Sequence, residues 1–234
     1  MNCYFFISLL FLAAQASCLC LQDFLQTGEK GDFFVTENQK MISLILIREK
    51  INDELIFEEI SLPEEKKPTI SWQDWIEKNA PGNISWQIFS LNLSTHKIDK
   101  CYSFTEETFL QLQEDTLLLP KLSILSLNLV PKEQRKKIGP PPPPGEIDRR
   151  GIFFPSCIIE GKPYKGTFEV YRGIWPKDGS PFADKIFDFY FAKNQAFPFW
   201  IHIDAGHITI MFRVIDTGKR MISPKPFPFL FQQK

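Results

Sequence analysis

The chain has 234 residues, 44% hydrophobic and 24% charged, with a formal net charge of −1. That is ordinary globular composition, sufficient for one large core or two small ones. A balance so close to neutral excludes long-range attraction to nucleic acid or to acidic lipid, so no nucleic-acid partner is expected. Two counts are unusual, 23 Phe and 18 Pro. The first supplies a large apolar payload, and the second points to loops and edge positions rather than long helices.

The first charged residue is Asp23, and Tyr4 to Ala14 is a compact apolar run before it. The run is too short to span a bilayer and has the length of a signal-peptide core. Ala14-Gln15-Ala16 supplies an A-x-A cleavage signal, so residues 1–16 are read as a signal peptide and the protein as exported to the periplasm or cell envelope. A lipoprotein reading extends the leader to Ser17 and anchors the protein to a membrane through Cys18. Export makes a disulfide available to Cys101 and Cys157, and two buried thiols are the alternative.

Residues 31–62 alternate as a three-stranded meander, GDFFVTE, KMISLILIRE and DELIFEEISLP, with turns at Glu37–Lys40 and Glu49–Asp53. SWQDWIEKNAPG begins with Ser71 as N-cap and Asp74 three residues on, and predicts a short helix with Trp72, Trp75 and Ile76 on one face. ISWQIFSLNL and KIDKCYSF form a hairpin about Ser94-Thr95-His96. Residues 105–130 read as partly helical, with Pro120 breaking the run. Pro140 to Pro144 must be extended, and residues 139–145 are either a stiff connector or a polyproline ligand for a partner such as an envelope protein. Four further strands follow, KGTFEVYRGIW, KIFDFYFA, FPFWIHID and HITIMFRVID, with a turn at Trp175–Pro181.

The expected architecture is therefore α+β and strand-rich. A single domain spans residues 21–234, built on a curved, half-barrel-like antiparallel sheet with helices on its concave face. Phe187, Phe189 and Phe191 share one face of their strand. With Trp200 and Trp75 they either line a space for an apolar ligand, lipid or lipoprotein, or simply fill the core.

GDFFVTE, SWQDWIEKNAPG, KKIGPPPPPGE-x-DRR, YRGIWPKDGSP and FPFWIHID…FRVIDTGKRMISP together resemble an uncharacterised exported protein family of chlamydia-like bacteria, over about residues 31–224. Phe153-Phe154-Pro155 departs from the Trp-Asn-Pro common in that family. The resemblance implies compartment and fold and carries no established activity. The order of strands and helices is also similar to the half-barrel of LolA/LppX-type lipoprotein and lipid carriers, an analogy of fold alone.

His202, Asp204 and His207 are the one constellation with catalytic or metal-binding residue types. Keeping the apolar sets of the two flanking strands on one side requires a two- or four-residue loop, and excludes three. The four-residue loop Asp204–His207 would pair Ile203 with Ile208 and set His202 beside Thr209. One loop does not supply three or four converging ligands, so no metal or other cofactor is expected. No GxSxG, GxGxxG, P-loop or HExxH occurs, so a non-enzymatic protein is expected, with a hydrolase built on these three residues as the alternative.

Overall fold

The computed structural model describes residues 19–38, 40–112, 118–193, 195–198, 200–204 and 209–232; for Leu118, Trp200, His202, Asp204 and Thr209 to Phe212 it describes the backbone alone. Residues 1–18, which hold the expected signal peptide and Cys18, lie outside the described residues.

Strand β1 (Leu19–Cys20) runs into helix α1 (Leu21–Leu25), which buries Leu21 and Leu25. The meander follows as β2 (Phe33–Asn38), β3 (Met41–Ile51) and β4 (Glu54–Pro63). Its second turn is tighter than the sequence suggests. Ile51 pairs with Glu54, and Asn52 takes the left-handed conformation that a two-residue hairpin requires. Helix α2 (Trp72–Glu77) starts where Ser71 accepts a hydrogen bond from the Asp74 N–H. The second hairpin is β5 (Ser85–Asn92) and β6 (Lys97–Ser103), followed by the short β7 (Thr108–Phe109).

Pro120 does not break a helix as expected. It sits in the first turn of α3 (Leu118–Ser123), where its missing N–H is unneeded. Strand β8 (Ser126–Leu129) comes next, then the small pair β9 (Ile158–Ile159) and β10 (Lys162–Pro163). The last strands are β11 (Phe168–Ile174), β12 (Ile186–Ala192), β13 (Trp200–Asp204) and β14 (Thr209–Gly218), and the four-residue helix α4 (Phe229–Gln232) closes the chain.

All but β9 and β10 join one antiparallel sheet in the order β1-β8-β11-β12-β13-β14-β2-β3-β4-β5-β6-β7. Its two ends do not meet, so the sheet is not closed into a barrel. Both halves of the chain share it, joined where β14 pairs with β2 and where β8 pairs with β11. Residues 139–145 therefore do not separate two sheets.

Alternation along the strands gives the sheet two apolar faces. In β3, Ile42, Leu44 and Leu46 enter a cluster with Ile60, Leu62, Trp72, Trp75 and Trp86. Ile45 and Ile47 point the other way. They belong to the largest cluster, which joins Leu55, Phe57, Phe89 and Leu91 to Phe187, Phe189, Phe191, Ile201 and Ile203. Helices α1 and α3 pack into this second cluster through Leu21, Leu25 and Leu122. The helices are thus divided between the faces instead of sharing one: α2 lies opposite α1 and α3. A third cluster lies behind Phe187 and its neighbours, where Tyr190 and Ala192 of β12 meet Phe168, Val170 and Cys157.

A bulge at Arg48 turns an ordinary strand into an anchor. The ladder steps from Ile47–Phe57 to Glu49–Ile56, leaving Arg48 unopposed. Its guanidinium pairs with Glu58, which is fully buried and also accepts hydrogen bonds from Trp86 Nε1 at 2.6 Å and Ser223 Oγ at 2.7 Å. Arg48 Nη2 donates to the Lys225 carbonyl at 2.7 Å, and its guanidinium lies 4.7 Å from the Phe227 ring centroid. The C-terminal segment is tied to the sheet through this pair.

Candidate functional site

The five aromatic candidates do not share a space. Phe187, Phe189 and Phe191 are at most 2% exposed and sit in the largest cluster, whereas Trp75 belongs to the cluster on the opposite face. The Trp200 side chain lies outside the described residues. The three Phe rings contact other rings: Phe187 stacks on Trp175 at 5.2 Å and Phe191 on Phe24 at 3.8 Å, while Phe187 and Phe189 lie 6.2 Å apart. Trp175, read from the sequence as the junction of a strand and a turn, is itself core, its indole N–H donating to Asp178.

The β13–β14 hairpin keeps the expected parity but not the expected register. Ile203 pairs with Ile210 and Asp204 with Thr209, two residues further along than Ile208 and His207. The four connecting residues are thus 205–208 and not 204–207. His202 lies opposite Met211 in place of Thr209, and Asp204 is the last strand residue, not a loop residue. His207 lies outside the described residues, as do the side chains of His202 and Asp204. Among the described residues no group of three or more His, Cys, Asp or Glu is placed to hold a metal ion.

The candidate disulfide is not formed. Cys101 and Cys157 are buried free thiols in different clusters, Cys101 beside Phe89 and Leu91, Cys157 beside Val170 and Tyr190. Burial pushes each thiol from 9.0 up to about 11. Between those values the unfolded chain gives up protons that the folded chain keeps, so this contribution to stability is present below pH 9.0 and lost as pH rises through about 11. Thermal melts should fall across that window. Replacing both cysteines by alanine should flatten the alkaline fall, and a reductant should leave the neutral-pH melt unchanged.

The proline segment is a closed loop. Lys137 and Ile152 form an antiparallel bridge, Ile138 N donates to the Gly151 carbonyl at 2.9 Å, and Phe153 N donates to the Lys136 carbonyl at 2.8 Å. Asp148 clamps the base. It accepts two bonds from the Arg150 guanidinium, at 2.9 and 3.0 Å, and one from Lys137 Nζ at 2.8 Å. The Arg150 bonds, with those of Lys137, hold its carboxyl well below the usual range. Arg150 Nη1 also donates to the Gly139 carbonyl. Above this clamp Pro140, Pro141, Pro143 and Pro144 are exposed, flanked by Ile138 at 62% and Ile147 at 78% exposure.

A groove of about 360 Å³ lies near the opposite end of the sheet from β7, where β8 meets β11. Leu129, Val130 and Ile174 give it apolar walls, and Asn128, Gln134 and Arg172 line it with donors. Arg172 is held by a two-point ion pair to the largely buried Asp188, at 2.7 and 2.9 Å. None of the five aromatic candidates lines this groove. The sequence signal for it is one opposed pair of charges, Arg172 and Asp188, within strands that are otherwise rich in apolar residues.

A sequence model of the CT021 protein family matches residues 43–165. The chain belongs to that family. The match runs from β3 through the proline loop to Lys165, and takes in the β8 side of the groove but not Arg172 or Ile174. The fold is similar to that of the hypothetical protein CT021 from Chlamydia trachomatis, solved at 2.0 Å. The two share 17% sequence identity with a TM-score of 0.66, over 90% of this chain and 98% of that one. No curated protein matches the chain. The family placement agrees with the resemblance to an uncharacterised chlamydial family. At this identity the structural likeness concerns the fold alone.

Proposed function

We propose that this family member is a non-enzymatic protein-interaction module whose contact element is the proline loop. The observation that supports this is the loop itself: four exposed prolines and two exposed isoleucines, held above a base closed by backbone bridging and by the Asp148 clamp. An extended proline run has little conformational freedom to lose on binding, and a clamped one has less. A photo-crosslinking amino acid at Ile147, exposed and just outside the proline run, should capture a protein partner. Replacing Pro140 to Pro144 by serine should abolish that capture and leave the melting temperature unchanged. Capture that survives the serine substitutions would defeat the reading.

The competing reading, an apolar ligand, lipid or lipoprotein chain between sheet and helices, has less support because the aromatic rings contact one another. We read the sheet as curled, with α1 and α3 on its concave side. The support for this is that one cluster draws on β4 and β5 as well as β12 and β13, which are far apart in the sheet order. A curled sheet of this kind is a fold-level analogy to lipid carriers and brings no chemistry with it. Export to the envelope is proposed on the leader composition of residues 1–22. Expression in a secreting host should yield a mature chain beginning at Ser17, or at a lipidated Cys18.

A further inference from the structure

We infer that the groove between β8 and β11 is the receptor for the proline loop of a second copy of this chain, so that two copies associate by reciprocal loop-in-groove contacts. This rests on the reading of the loop as a contact element and adds the partner.

The two surfaces are complementary in hydrogen-bond chemistry. Five consecutive prolines carry carbonyl acceptors and no N–H donors. The groove presents donors: the amides of Asn128 and Gln134, which make no side-chain hydrogen bond among the described residues, and Arg172. Asp188 engages Nε and Nη2 of Arg172, leaving Nη1 without a partner among the described residues.

They are also complementary in charge. The carboxylate of Asp188 cancels the guanidinium charge, so the groove is unsuited to a phosphate or a carboxylate and suited to a neutral ligand. Gly139 to Gly145 is a neutral run; at its base Lys137 and Arg150 pair with Asp148, and the exposed Glu146 and Arg149 outside the run carry opposite charges. The apolar walls match pyrrolidine rings. Leu129 and Ile174 are 57% and 61% exposed, as if awaiting cover.

Both halves of the contact are unsatisfied within one chain. The prolines are exposed, and the groove is open. Arg135 fixes the segment between them, donating to the carbonyls of Val130 and Phe168 at 3.0 Å each. With the base of the loop clamped as well, loop and groove are held as separate rigid surfaces. A twofold arrangement uses each of them once per copy.

The experiment is light scattering after size exclusion on the purified chain over a wide concentration range. The expected result is a concentration-dependent dimer. Ile174→Asp, at a position 61% exposed, and the Pro140-to-Pro144 serine variant should each weaken it about tenfold or more. Mixing the two variants should partly restore association, because the mixed pair keeps one intact loop in one intact groove where the wild type has two and each variant alone has none. A labelled peptide of residues 138–147 should bind the wild-type chain and not Ile174→Asp, with unchanged melting curves showing that both chains are folded. A wild-type chain that stays monomeric and ignores the peptide would overturn the inference, as would a dimer indifferent to Ile174→Asp or a mixture that fails to associate. Should the Ile147 crosslink capture a different protein from a monomeric chain, the second copy is excluded while the loop reading stands. Loss of both removes the loop reading too.

Discussion

Replacing Phe189 by alanine is expected to lower the unfolding free energy by about 3–5 kcal/mol, the usual cost of emptying a ring-sized volume in a packed core. Phe189 has no exposed surface and lies in the cluster that joins the two halves of the sheet. A chemical denaturation midpoint would read the loss directly. The same protein tests the carrier reading. If these rings filled a core, native mass spectrometry of the wild-type chain would give its bare mass. If they lined a ligand space, a lipid would co-purify, and Phe189→Ala would change its retention with little change in stability. A small stability effect combined with a bound lipid would reverse the assignment made here.

Arg48→Met is expected to cost about 3–5 kcal/mol, because it strands the Glu58 carboxylate in the interior with its counter-charge removed. Glu58 is 0% exposed, and two of its contacts, to Trp86 and Ser223, supply hydrogen bonds without positive charge. The double variant Arg48→Met, Glu58→Gln should recover much of the loss, since a neutral amide tolerates burial better than an unpaired carboxylate. Arg48 also holds the Lys225 carbonyl, so the single variant should expose the segment after Pro224 to limited proteolysis before the body of the sheet unfolds. Additive losses in the double variant would show that the pair is not coupled.

The strands, their alternation and the two principal hairpins were legible because side-chain period and turn chemistry are local properties. Ser71 and Asp74 start a helix with no help from the rest of the molecule, whereas the turn read at Glu49–Asp53 tightens to Asn52-Asp53 once β3 and β4 pair through Ile51 and Glu54. The family resemblance was legible for a related reason, since it rests on runs of consecutive residues. The loop register at residues 205–208 was narrowed to the correct parity but misplaced by two, because parity follows from burial whereas loop position does not.

What the chain dictated by itself is a set of amphipathic ribbons, a short capped helix and a stiff proline run. Tertiary structure alone decided which apolar face each helix covers, so Trp75 and Phe187 ended on opposite sides of one sheet despite similar chemistry. It also decided that Cys101 and Cys157 stay apart, and that the prolines crown a clamped loop rather than link two bodies. The physical reason is common to all three. Periodicity specifies which residues of a strand share a side, but the order in which strands assemble depends on long-range pairing, such as β14 with β2 across more than 170 residues, and no local pattern encodes it.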